Sequence, residues 1–113
     1  NIIDHVRAVA PALQEGLKKF AGHPLVGEVR GVGLVGAVEI VADKKTKTSF
    51  DPSQGVMPYL IGRAQAHGLI VRMIADCVAF SPPLIITEAE IGEMLSSFGK
   101  ALDDAQSWIS QQS

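Results

Sequence analysis

Cysteine is nearly absent. Cys77 stands alone, so the chain can form no internal disulfide, and it suits a reducing compartment, taken here as the cytoplasm. Charge is sparse as well: charged residues make up 19%, a little below an ordinary soluble domain. Ten basic and twelve acidic residues leave a net charge of −2. The basic residues are scattered apart from Lys44, Lys45 and Lys47, and the missing basic stripe excludes a nucleic-acid partner. No apolar run reaches the length of about 18 residues that a membrane span needs. The N-terminus lacks the basic-then-apolar pattern of a targeting signal. His5, His23 and His67 stand far apart, each without a second ligand one helical turn away, so no metal site is expected. An initiator Met is also missing. The chain opens inside a helical pattern, which agrees with a fragment or a processed chain.

What is present is apolar: 47% of 113 residues, enough for one domain with one core. That share is read in two ways, as a generously buried core or as an apolar face that packs against something else. Ile2, Ile3, Val6, Val9, Ala10, Leu13, Leu17 and Phe20 recur at helical spacing, with Pro11 expected to kink the helix or delay its start. Gly22 and Pro24 supply the stop. Residues 26–30 and 34–41 are β-patterned, with Gly31 and Gly33 marking a hairpin turn. The second of these strands is apolar on both faces and is expected to be central. Residues 43–55 read as a polar surface loop. Val56, Met57, Leu60, Ile61 and Ala64 form a second helical stripe, closed by Gly68. Residues 69–73 and 77–81 read as short strands about a turn at Ile74, Ala75 and Asp76, ended by Pro82 and Pro83. Thr87 and Glu90 form a capping box, with Ile86 and Ile91 placed as its hydrophobic staple. The last stripe runs through Met94, Leu95, Phe98, Leu102, Ala105 and Ile109. The fold class expected is α+β: about four mostly antiparallel strands packed against about three helices.

Four features invite a functional reading. The glycines at 31, 33 and 36 match G-x-G-x-x-G, but a dinucleotide motif must open a helix and the following residues are β-patterned. A hairpin turn with close packing over Gly36 explains them better. Cys77 is read as a small buried residue ahead of a nucleophile. Glu39, inside an apolar strand, is either a catalytic carboxylate or a residue at a sheet edge or beside a cation. Arg72 is sharper. Strand parity sets it with Ile70 and Ile74. A guanidinium among branched apolar residues calls for an anion, and its planar fork fits a carboxylate. Spacing alone leaves open whether that anion is a ligand or the chain's own Asp76 or Glu39.

At these residues the chain resembles a known family. VRGVGLVGAVEIVADKKTK (29–47) and GLIVRMIADCVAFSPPLIIT (68–87) are similar to the C-terminal small domain of class III aminotransferases, pyridoxal 5'-phosphate enzymes of fold type I. The resemblance covers nearly the whole chain and implies that residues 1–113 are that domain, without the large cofactor-binding one. Ornithine-type members carry an Arg shortly before the PPL motif, where this chain has Ala79. Amine–pyruvate members carry it on the preceding strand, at the position of Arg72. The resemblance therefore implies an ω-transaminase using pyruvate or a similar keto acid, with Arg72 as the substrate-carboxylate clamp. Ala75 stands where many relatives have Gly, which implies a stiffer turn. The cofactor lysine and phosphate-binding groups match nothing here, so the fragment alone is expected to bind no cofactor and to be inactive. The implied partners are the missing large domain and N-terminal segment, a second copy in a homodimer, and small-molecule amines and keto acids. Two rival readings of the residues remain: a free-standing ACT-like amino-acid sensor, and a protein-interaction domain.

Overall fold

The computed structural model describes residues 1–69 and 71–111. The first apolar stripe forms α1, Ile2–Lys19, capped by the Asn1 side chain, which accepts the Ile3 amide at 2.9 Å. The late start expected from Pro11 does not occur. Pro11 and Arg7 both lie on the solvent side, so the carbonyl deprived of its donor is open to water. Val9, Leu13 and Leu17 face the core. A short 3₁₀ turn, Phe20–Gly22, ends the element.

β1 (Val26–Val32) and β2 (Val35–Ile40) form an antiparallel hairpin around Gly33 and Leu34. Gly33 supplies the positive φ of +60° that the first loop position takes up. Gly31, expected in the turn, is instead paired with Gly36 inside the ladder. The Gln14 side chain donates to the Gly33 and Val35 carbonyls at 2.8 and 3.1 Å, fastening the hairpin tip to α1.

The loop at 43–55 is organised by its own side chains. Asp43 bridges to Thr48, and Asp51 caps a 3₁₀ turn at Pro52–Gln54. α2, Val56–Ala66, ends as expected at Gly68, whose φ is +87°. Gly68 and Leu69 donate back to the Gln65 and Ala64 carbonyls, the paired bonds of a Schellman ending. This ending explains why β3 is shorter than expected, Arg72–Ile74 in place of 69–73: Leu69 is already bound to the helix. Ile70 lies outside the described residues. β4, Cys77–Phe80, follows a two-residue turn at Ala75 and Asp76.

The sheet order is β1-β2-β4-β3, antiparallel throughout, so β2 is central as its two apolar faces require and β3 is an edge. α3, Glu88–Gln111, starts at the expected capping box: the Glu90 amide donates to Thr87 Oγ1 at 3.2 Å, and the Thr87 amide donates to Glu90 Oε1 at 3.1 Å. Core residues of α1, α2 and α3 pack with Val38, Ile40, Val78 and Phe80 of the sheet. Phe98 meets Phe20 and Phe80 edge-on at 5.1 and 4.9 Å. The opposite sheet face carries exposed Val32, Val35 and Ile74. The architecture is the α+β layer fold that the sequence implies.

Candidate functional site

Arg72 begins the edge strand and is paired in register with Ala79. All three β3 residues are exposed, so the apolar burial that seemed to demand an anion for Arg72 is not there. Neither intramolecular partner suggested by spacing engages it. Asp76 Oδ2 accepts the Ser49 hydroxyl at 2.6 Å, and Glu39 lies on β2 between Glu28 and Cys77. Among the described residues, the Arg72 guanidinium takes part in no ion pair or side-chain hydrogen bond.

Arg72 lines an open cleft of about 570 Å³, within the size of small-molecule sites. Ala79, Ser81 and Pro82 continue one wall; the first turns of α3, with Glu90, Glu93 and Met94, form another. The end of α2 closes it with His67. Its charges are unequally committed. Glu90 is held by Thr87 through amide and hydroxyl. His67 Nε2 lies 2.8 Å from Asp104 Oδ2, which also accepts Arg63 Nε at 3.0 Å. The His67 bond first, and the Arg63 bond second, hold the Asp104 carboxyl below the usual aspartate range. The Ser97 hydroxyl donates to the His67 carbonyl at 3.0 Å, so α2 and α3 are tied behind the cleft. Arg72 is thus the uncommitted cation of the cleft. No lysine lines it.

The other sequence candidates lie elsewhere. Glu39 is half-buried, its Oε1 is shielded from solvent and unpartnered, and it packs over Gly27. Cys77 is half-buried, with Arg30 Nη2 at 3.3 Å from its sulfur. The three histidines are used singly: His5 at the Ile86 carbonyl, His23 with Asp103, His67 with Asp104. Among the described residues no three His, Cys, Asp or Glu side chains gather as a metal site. The glycine motif is the β1–β2 hairpin and opens no helix. Sequence reasoning missed the α3 wall of the cleft, although the capping box directly after the SPPLIIT segment signals it. It also missed the Ser49–Asp76 bond, which spans 27 positions and leaves no local trace.

The profile of the class-III aminotransferases matches residues 1–102, and the chain belongs to this family. Gamma aminobutyrate transaminase 3, chloroplastic, of Solanum lycopersicum is 38% identical over 111 residues, 98% of this chain and 21% of that protein. Gamma-aminobutyrate transaminase 1, mitochondrial, of Oryza sativa subsp. indica is 40% identical, with 98% and 22% covered. Among solved structures, the omega transaminase from Pseudomonas jessenii in complex with PMP superposes with a TM-score of 0.89 at 43% identity, covering 96% of this chain and 24% of that one. A transaminase solved with L-ala superposes at 0.91 and 37% identity, covering 96% and 26%. The chain thus spans about a fifth of the curated relatives and about a quarter of the solved ones. These relatives are named for chloroplast and mitochondrion, not for the cytoplasm. Among the described residues, no helix is long and apolar enough to cross a membrane.

Proposed function

We propose that residues 1–113 form the C-terminal small domain of a pyridoxal-phosphate transaminase. The complete enzyme moves an amino group from an amine donor to a keto acid such as pyruvate, and Arg72 holds the substrate carboxylate. The observation that carries this reading is that Arg72, whose guanidinium is uncommitted, is one of the residues lining the cleft. A guanidinium offers two parallel N–H donors to a carboxylate, and such charge-assisted pairs are the stronger hydrogen bonds. Its site on a three-residue edge strand, beside the small Ala79, leaves the long side chain free to swing in for a carboxylate and out for an apolar substituent. Relatives named for γ-aminobutyrate, and a relative solved with L-alanine, support substrates that carry a carboxylate. L-Alanine is also what pyruvate becomes on receiving the amino group.

The cofactor, when bound in the complete enzyme, supplies the electron sink for the bond changes at the amine carbon. This chain does not fit it. The cleft offers no lysine for a Schiff base, and Lys44 is spent on the Ala21 and His23 carbonyls at 2.7 and 3.1 Å. The part of this chain is to bind and orient the keto acid, through Arg72 and the cleft around it. A homodimer, in which the large domains supply the remaining groups, completes the proposal.

Arg72→Ala in the complete enzyme is expected to raise KM for pyruvate roughly 10- to 100-fold, the worth of a lost charged hydrogen-bond pair. The loss for an amine donor without a carboxylate is expected to be much smaller. Equal losses for both would sink the clamp. The 113-residue chain on its own is expected to show no cofactor absorbance and no transamination, and turnover by it would overturn the domain assignment.

A further inference from the structure

The hairpin that carries Arg72 is weakly seated. β3 has three residues, all exposed, and pairs only with β4. Its turn holds Ala75 at φ +52°, a backbone region that side chains disfavour. Under the turn lies a hollow of about 210 Å³, lined by Ile40, Phe50, Val56, Met57 and Met73, with Asp76 at its wall. The strand ladders hold the two arms of the hairpin, and the hollow leaves the turn itself little packing from below. Two further hydrogen bonds tie the turn down. The Ile40 amide donates to the Asp76 carbonyl at 2.8 Å, and the Ser49 hydroxyl donates to Asp76 Oδ2 at 2.6 Å.

Ser49 is held on both sides. Before it, the Ala42 amide donates to the Thr48 carbonyl at 2.7 Å, which fastens the loop to the end of β2. After it, Asp51 Oδ1 accepts the Ser53 amide at 2.9 Å and starts the 3₁₀ turn. The exposed loop at 43–55 thus presents one hydroxyl, from a fixed point, to the turn four residues beyond Arg72.

We propose that Ser49 and Asp76 form a latch that positions Arg72, and that both are positioning residues for the substrate carboxylate. The proposal rests on the clamp reading of Arg72. With the latch closed, the hairpin is pinned over the hollow and β3 keeps its register with β4, so the guanidinium leaves from a fixed strand. With the latch open, the turn settles into the hollow or lifts from it, and the strand tilts. Binding then bears the cost of restoring the productive geometry, and that cost falls on ligands that need Arg72.

The test compares Ser49→Ala, Asp76→Ala and the conservative Ser49→Thr in the complete enzyme. Ser49 is on the surface, so its variants are expected to fold. Ser49→Ala and Asp76→Ala are each expected to raise KM for pyruvate about three- to tenfold, with little change for a carboxylate-free amine. Exchange of those amides among residues 72–74 that bond to β4 is expected to speed up by a similar factor, while Ser49→Thr stays near wild type. The double alanine variant is expected to be no worse than the worse single one, because one bond is lost in all three. Unchanged exchange at 72–74, or an equal loss for both substrate types, overturns the latch. Arg72→Ala separates the two ideas. If it is carboxylate-selective and Ser49→Ala is not, the latch fails and the clamp stands; if Arg72→Ala is itself unselective, the clamp fails and takes the latch with it.

Discussion

Ala75 occupies the most costly backbone position in the Arg72 hairpin. At φ +52° its Cβ crowds the following carbonyl, a penalty of about 1–2 kcal/mol that glycine escapes. Ala75→Gly is expected to raise unfolding stability by up to about 1 kcal/mol, after the larger entropy of an unfolded glycine is subtracted. Urea titration measures it; a variant no more stable than wild type would show that the turn carries no such strain. The stiffer turn was implied only by the family resemblance, since many relatives have Gly where Ala75 stands. The glycines of 31–36 were legible as a hairpin from the residues themselves, since those that follow alternate. Their separate tasks were not legible. A Cβ at Gly31 would sit 2.7 Å from the Val35 carbonyl oxygen, and one at Gly36 would strike the Leu17 side chain. Only the packed hairpin and α1 create those obstacles.

Among the elements, α2 and α3 are joined by polar contacts at the back of the cleft. Asp104 accepts from His67 and Arg63 on one oxygen, and its pKa is lowered by those bonds. A carboxyl with a depressed folded pKa stabilises the fold at pH values above its unfolded pKa. That contribution is lost as pH falls through the folded pKa. Asp104→Asn is therefore expected to be less stable than wild type at pH 7, by on the order of 1 kcal/mol at most, since the pair is partly exposed. The gap is expected to close as pH drops through and below the carboxylate range. Thermal melts from pH 7 to pH 2 read the difference, and a pH-independent gap would assign the loss to packing. Element ends followed local rules where the signal was local. The Thr87–Glu90 box and Gly68 were both read correctly. The start of β3 was not, because Leu69 answers to the α2 ending and not to its β-like neighbours.

At the scale of the whole molecule, Phe98 is the joint between layers. It is fully buried and touches Phe20 at the end of α1 and Phe80 on β4. Phe98→Ala is expected to cost about 3–5 kcal/mol, a large part of the stability of a domain of this size. Chemical denaturation followed through the stacked Tyr59–Trp108 pair, at 4.2 Å, monitors the loss. A cost under about 1 kcal/mol would mean that the layers are held elsewhere. The sheet divides the molecule unequally. One face is sealed by the helices, while the other carries the cross-strand row Arg30, Ala37, Ala79 and Arg72 beside exposed Val32 and Val35. The second of the two readings of the apolar content, a face that packs against something else, matches that open side.

The order and type of the elements, the fold class and the family resemblance were all readable along the chain, although the start of β3 was not. These rest on periodicity, caps and turn residues, which act over a few positions and are written locally. The sequence also singled out Arg72, but for a reason that the fold removes: the strand is an edge, and the arginine is not buried. Tertiary structure alone decided that Asp76 is taken by Ser49 and that Glu39 lies away from the cleft. It also placed Arg72 opposite Ala79 on a cleft shared with α3. Those facts depend on strand order and on contacts between residues dozens of positions apart. Only the assembled sheet and its packing against the helices bring such residues together.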